Sequence, residues 1–93
     1  MTKPDLRALL RSLLDDDDEL YARLREAGFV PADDASLAPE HLETARVVRT
    51  LVHELEINWP GVEVIVRMRS ELVATQRQVA ELAELVRKLQ DRR

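Results

Sequence analysis

The feature that most constrains this chain is an uninterrupted helical pattern that fills its last third. From Trp59 to about Asp91 the sequence predicts one helix, with neither proline nor glycine after Gly61. At about 1.5 Å per residue, such a helix extends for about 50 Å. A domain built from 93 residues cannot bury a helix of that length against itself, so its far half needs a partner or stands in solvent.

Apolar residues recur along this predicted helix in alternating steps of three and four, as at positions a and d of a coiled coil. We call these residues the seam, and Thr75 is its only polar member. The seam consists of Ile65, Met68, Leu72, Thr75, Val79, Leu82, Val86 and Leu89. The pattern predicts a homodimer through the C-terminal helix. The alternative is a long amphipathic helix that packs on the other helices of the same chain.

The N-terminal third predicts two helices separated by a run of aspartates. Leucines at helical spacing indicate a first helix from about Thr2 to Leu14, with Thr2 and Asp5 resembling a capping box. Asp15–Asp18 favours a break, because aspartate is poor inside helices and good at the N-cap. A second helix then spans about Asp17 to Ala27. Since the leucine spacing continues through the aspartates, a single helix over residues 4–27 is the alternative.

Pro39 predicts the start of a third helix, which spans about Leu37 to Glu56. Its predicted buried face consists of Leu42, Ala45, Val48, Leu51, Val52 and Leu55. Asn58 suits an N-cap, and Trp59, Pro60 and Gly61 form a predicted structural corner between the third helix and the long one. We expect Trp59 to pack between these two helices, near Leu55 and Val62.

These elements together predict an all-α fold with a helical head over residues 1–58 and a long C-terminal helix over residues 59–93. The chain has no cysteine, and no window approaches the roughly 18 apolar residues of a membrane span. The first residues are too charged and their apolar stretch is too short for a secretory signal. A soluble cytoplasmic protein is the expectation.

Candidates for catalysis and for metal binding are weak. His53-Glu54-Leu55-Glu56-Ile57 begins like a zinc protease motif but lacks the second histidine four residues later. His41 and His53 lie twelve residues apart, which places them on different sides of a common helix. Asp15–Asp18 lacks the spacing and the central glycine of a calcium loop. We therefore expect no catalytic residues, no metal, no cofactor and no enzyme activity.

The charges are divided unevenly along the chain. Residues 1–43 carry a net charge of −6 and residues 44–93 a net charge of +2, which together give the chain's −4. A protein that binds DNA usually presents a basic face at its reading head. Here the half that would contain such a head is acidic. The distribution favours a basic protein partner and predicts no nucleic acid.

The segment Val52–Ile65, which reads VHELEINWPGVEVI, resembles the chaperone modulatory proteins of the CbpM type. These proteins carry a similar His-Glu-Leu and Trp-Pro-Gly segment between two helices, and they are related to the MerR-like regulators. The resemblance covers residues 37–90. More weakly, residues 6–31 resemble the helix-turn-helix of that family and the corner that closes it.

The resemblance implies a degenerate MerR-like helix-turn-helix head followed by a coiled-coil helix. It also implies a protein that binds the J-domain of a DnaJ-like co-chaperone and inhibits its stimulation of Hsp70 (DnaK). A scaffold that assembles the two chaperones is a variant of this function. We expect Arg46, Arg49 and His53 to contact the J-domain, and the acidic run to attract it at long range. The run consists of Asp15, Asp16, Asp17 and Asp18.

The sequence departs from the DNA-binding members of that family at two places. Tyr21-Ala22-Arg23-Leu24 stands where those members carry an aromatic recognition-helix motif, and the wing is reduced to residues 32–37. These departures remove the parts that would grip DNA, so a degenerate MerR-type transcriptional regulator is an alternative to the chaperone modulator and not the leading function. A generic helical dimer that serves as an adaptor for another partner is the second alternative.

The seam generates the first testable prediction. Replacing Leu82 with aspartate should convert a dimer into a monomer, because dimerisation would then bury a charge in an apolar seam. Multi-angle light scattering of the unmodified protein and of Leu82→Asp measures this directly. A monomeric mass for the unmodified protein would contradict the predicted dimer.

Overall fold

A computed structural model describes residues 5–92 and consists of helices. The α-helices are α1 (Leu6–Leu13), α2 (Asp18–Glu26), α3 (Pro39–Arg49) and α4 (Trp59–Asp91), with a 3₁₀ turn at Asp34–Ser36 and a π-helical turn at Thr50–Glu54. Residues 5–92 contain no strand. The predicted all-α fold with a long C-terminal helix is confirmed. None of the helices in this range is long and apolar enough to cross a membrane.

The chain divides into two compact units, Met1–Glu63 and Val64–Arg93. The division falls inside α4, whereas the sequence placed the end of the head at residue 58. The first turn of α4 thus belongs to the head unit. Its Val62 is fully buried, which makes this turn part of the head's core.

The predicted break between the first two helices is confirmed, and the aspartates create it. Asp15 and Asp16 have φ values of 58° and 57°, in the left-handed region that aspartate enters more easily than most residues. The Asp16 N–H donates to the Arg11 carbonyl at 2.9 Å, and the Asp15 N–H donates to the Ser12 carbonyl at 3.0 Å. This pair of hydrogen bonds ends α1 as a Schellman motif, with aspartate in the position usually held by glycine.

Each of the first two helices begins at an aspartate. Asp17 caps α2, where its carboxylate accepts the N–H of Leu20 at 3.0 Å. Asp5 caps α1, where it accepts the N–H of Ala8 at 3.2 Å. The sequence had predicted a capping box with Thr2 as the capping residue of the first helix. Thr2 lies outside the described residues. At the other end of α2, Gly28 takes a φ of 78°, and its N–H donates to the Arg25 carbonyl at 3.1 Å.

The core joins one face of each short helix. α1 packs on α3. On the predicted buried face of the third helix, Ala45, Val48 and Leu51 are buried, while Leu42 and Val52 are half-buried. The buried residues of the head unit are Leu10, Leu14, Leu20, Leu24, Val30, Ala45, Val48, Leu51 and Val62. Leu9 belongs to the apolar stretch of the first helix but is half exposed.

The third helix ends differently from the prediction. After Arg49 the chain widens into the π-helical turn, where the Leu55 N–H donates to the Thr50 carbonyl at 3.1 Å. Because a π-turn holds one residue more than an α-turn, the residues that follow rotate away from the predicted face. Leu55 is consequently 60 % exposed, so its predicted burial is wrong. Glu56 then enters the left-handed region with a φ of 53° and turns the chain towards α4.

The seam of α4 is open to solvent in the single chain. Its apolar members range from 36 % exposed at Ile65 to 63 % exposed at Met68. Monomeric proteins rarely leave so many large apolar side chains uncovered in one contiguous stripe. The pattern seen in the sequence is therefore an accessible surface, and pairing through it stays a prediction.

The corner before α4 generates a prediction about Gly61. Its N–H donates to the Asn58 side chain at 3.0 Å, and a Cβ at this position would lie 2.8 Å from the Ile57 Cγ2 methyl. Overpacking of this kind costs about 1–3 kcal/mol, whereas replacing glycine in a helix gains at most about 1 kcal/mol. We therefore expect Gly61→Ala to lower the free energy of unfolding, measured by urea denaturation.

A double-mutant cycle controls this prediction, because Ile57→Ala removes the methyl group that the new Cβ would meet. In the Ile57→Ala background the same glycine substitution should cost less, with the Asn58 side-chain oxygen at 3.0 Å as the remaining close neighbour of the new Cβ. An equal loss in both backgrounds would show that contact with Ile57 is not the cause.

Candidate functional site

An open groove lies on the head between α2 and the segment that leads into α4. Its cavity volume is about 410 Å³, which is within the range of ordinary ligand sites. Apolar side chains from both walls form its floor, and two carboxylates stand at its rim. It is lined by Asp17, Glu19, Leu20, Arg23, Val52, Ile57, Asn58 and Trp59.

Trp59 forms one end of this groove. Its ring is half-buried, and the Phe29 ring lies beside it with the centroids 6.1 Å apart and the planes at 43°. The guanidinium carbon of Arg23 lies 5.6 Å from the centre of the indole. The indole therefore lies against Arg23 of α2 and against Phe29, three residues after α2 ends. The sequence had indicated a position near Leu55, between the third and the long helix.

A cluster of charges ties the α1–α2 turn to the end of α3. The Arg49 Nε donates to the Asp15 carboxylate at 2.8 Å, and its Nη1 lies 3.4 Å from Glu54. The two ring nitrogens of His53 face different carboxylates: Nε2 is 3.0 Å from Asp17 and Nδ1 is 3.4 Å from Asp15. Residues that the sequence assigned to two separate parts of a partner surface thus contact each other within the chain.

The remaining predicted partner residues lie apart from this cluster. Asp18 is 3.5 Å from Arg11, and Asp16 is exposed. Arg46 is exposed as well and lines a second, smaller depression of about 240 Å³ together with Glu43, Val47, Thr50 and Leu51. Contact of any of these side chains with a partner stays a prediction. His41, which the sequence did not favour as a metal ligand, lies at the start of α3. Its ring nitrogen Nδ1 accepts the Ala38 N–H at 2.9 Å.

The cluster shifts the ionisation of its acids. The hydrogen bond from Arg49 holds the pKa of Asp15 below its ordinary value of 3.8. The backbone N–H of Leu20, followed by the hydrogen bond with His53, lowers the pKa of Asp17. The Asp15 carboxylate in turn raises the pKa of Arg49. All three shifts favour the charged forms and so stabilise the contact between the turn and α3.

The arrangement is suited to binding. Both ring nitrogens of His53 lie next to carboxylates. Within residues 5–92, no three acidic or histidine side chains lie close enough together to hold a metal ion. The groove offers an aromatic face, an aliphatic floor and carboxylates at the rim. These groups match a partner that presents aliphatic and cationic side chains next to each other.

Several residues of the groove were not predicted from the sequence. Arg23, Glu19 and Ile57 were not assigned to any site. The i, i+4 spacing of Glu19 and Arg23 was a visible signal, and in the structure they form an ion pair of 3.7 Å. Nothing local, however, indicated that this pair would face the Trp59 corner.

Comparison with protein-family models, with characterised proteins and with solved structures finds no match for this chain.

The cluster generates a prediction in which Asp16 is the matched control. Asp15 and Asp16 are neighbours with nearly equal φ values, so asparagine affects the backbone similarly at both positions. Of these two aspartates, Asp15 is the one that contacts Arg49 and His53 in the described structure. We expect Asp15→Asn to lower the thermal midpoint at pH 7 more than Asp16→Asn does. Equal losses would contradict a stabilising role for the cluster.

The same comparison should depend on pH. Because folding lowers the pKa of Asp15, its contribution is complete above the unfolded value and is lost as the pH falls through the folded one. The difference between the two variants should therefore shrink below pH 3.8. Circular dichroism melts at pH 7 and at decreasing acidic pH values measure this.

Proposed function

We propose that this chain is a cytoplasmic, non-catalytic chaperone modulator that binds the J-domain of a DnaJ-like co-chaperone and inhibits its stimulation of Hsp70. The observation that carries the proposal is a coincidence of two independent features. The residues that resemble the CbpM-type proteins, within Val52–Ile65, are also those that build one wall of the groove. Val52, Ile57, Asn58 and Trp59 all line it.

The chemistry of the groove supports the same partner. J-domains present a basic helix to Hsp70, and a protein that competes for that helix needs acidic groups beside apolar ones. Asp17 and Glu19 provide carboxylates at the rim, while Leu20, Val52 and Ile57 provide aliphatic surface. The excess of acids over residues 1–43 adds attraction at longer range and speeds association.

The proposal includes a homodimer that forms through α4. The seam is exposed over its whole length in the single chain, and its a and d spacing matches pairing with a second copy. A dimer would present two grooves and could bind two J-domains.

A degenerate MerR-type transcriptional regulator is the second candidate. It is favoured by the short turn between α1 and α2, which is typical of helix-turn-helix motifs. The first turn of α2, however, carries Asp18 and Glu19, which would repel phosphates. Retention on DNA that weakens steeply with salt would support this candidate, and the chaperone proposal predicts no such retention.

The test of the main proposal is a titration of the purified chain with the isolated J-domain of a DnaJ-like protein from the same genome. We expect calorimetry to show binding. The J-domain's stimulation of the Hsp70 ATPase should fall as the chain is added, while the basal ATPase rate of Hsp70 alone stays unchanged. A scaffold would instead form a complex that contains both chaperones while stimulation continues.

The control for this titration is a J-domain whose basic helix carries glutamine in place of lysine and arginine. It should bind more weakly, and the loss should be mainly in the association rate. Absence of binding between the unmodified chain and the unmodified J-domain would overturn the proposal.

A further inference from the structure

The aromatic end of the groove already holds a cation from the chain itself. The Arg23 guanidinium carbon lies 5.6 Å from the centre of the Trp59 ring, within the distance at which a cation is attracted to an aromatic face. The same side chain lies 3.7 Å from the Glu19 carboxylate. The indole and the carboxylate thus form a subsite for a positive charge, with an aliphatic floor beside it.

Arg23 occupies this subsite only loosely. Its side chain is 48 % exposed and that of Glu19 is 82 % exposed, and their separation of 3.7 Å exceeds an ordinary hydrogen bond. Exposed ion pairs and exposed cation–π contacts are individually weak. A cation delivered by a partner, with an aliphatic group seated next to it, can therefore take the place of Arg23.

We propose that Trp59 and Glu19 form the cation-binding subsite of the groove, and that Arg23 occupies it until a lysine or arginine of the partner displaces it. The occupant is an amphipathic helix with a basic residue one turn from an aliphatic residue. The basic residue lies over the indole, and the aliphatic residue contacts Leu20, Val52 and Ile57. This inference rests on the proposed function, because it assigns the basic helix of the J-domain to this groove.

Charge complementarity favours this occupant over a purely apolar one. The groove is lined by Asp17 and Glu19 against the single base Arg23, and displacing Arg23 frees the Glu19 carboxylate to pair with a partner's cation. Once displaced, the Arg23 side chain can be hydrated or can pair with acidic groups of the partner. Removing a positive charge from the binding site should therefore strengthen the binding of a positively charged partner.

The matched control lies two residues further along the same helix. The guanidinium carbon of Arg25 lies 5.9 Å from the centre of the Tyr21 ring, but Arg25 does not line the groove. Arg23→Gln and Arg25→Gln each remove one positive charge and one cation–π contact from α2. Both variants therefore change the long-range attraction for a basic partner equally. Only Arg23→Gln vacates the Trp59 face.

Calorimetric titration of the full chain with the J-domain compares these variants. We expect Arg23→Gln to bind about two- to fivefold more tightly than Arg25→Gln, the factor that corresponds to one exposed cation–π contact. In a Trp59→Leu background the advantage of Arg23→Gln should shrink, because the aromatic face is gone and the Glu19 carboxylate is the part of the subsite that remains. Equal affinities in the unmodified background would overturn the subsite, while J-domain binding itself would leave the proposed function standing.

A second probe separates this inference from the choice of partner. Trp59 is the only tryptophan of the chain, so its fluorescence reports directly on the groove. The probe is a synthetic amphipathic helix with a lysine one turn from a leucine, compared with the same peptide carrying glutamine. The lysine peptide should shift the emission at lower concentration, and Arg23→Gln should increase this difference.

The outcomes of this second experiment are distinct. A peptide response without J-domain binding would support the subsite and reject the proposed function. If neither the J-domain nor the lysine peptide alters the emission of a folded chain, the subsite is rejected. Circular dichroism melts of both glutamine variants verify folding, and both replaced side chains are exposed.

Discussion

The head depends on the reversal of the chain at Asp15 and Asp16. Both residues adopt a left-handed backbone, and without that reversal the leucines of α1 and α2 would lie on one long helix. In such a helix α2 would continue in the direction of α1 and would not form a wall of the groove. The contacts of Asp15 and Asp17 with Arg49 and His53 then join this turn to the end of α3. One short acidic segment thus ends α1, caps α2 and holds both near α3.

Local chemistry made much of the fold predictable. The break, the N-cap at Asp17, the start of α3 at Pro39 and the extent of α4 all follow from residues that act within a turn of their own position. The π-helical turn at Thr50–Glu54 could not be predicted in this way. A hydrogen bond to the fifth residue back, in place of the fourth, has no clear signature in sequence, and its main consequence is the exposure of Leu55.

The candidate site was harder to predict for a different reason. Its parts come from segments about 35 residues apart, and charge type alone does not determine which acid meets which base. The sequence indicated that Asp15, Asp17, Arg49 and His53 were available for electrostatic contacts. It could not indicate that they would satisfy one another. The resemblance did point to the segment around Trp59, but the opposite wall on α2 depends on tertiary packing.

Because these charges pair with one another inside the chain, the groove is a more accessible surface for a partner than the charge cluster is. A J-domain that recruited Arg49 or His53 would first have to compete with Asp15 and Asp17, and breaking that cluster would loosen the α1–α2 turn. Neutralising the acidic run would therefore alter both the fold of the head and its long-range attraction for the J-domain. At the Trp59 end of the groove, by contrast, a partner displaces the exposed side chain of Arg23. Binding there leaves the contacts that hold the head together in place. Arg46, which is exposed at the smaller depression, differs from Arg49 and His53 in this respect. A partner can contact it without breaking the charge cluster.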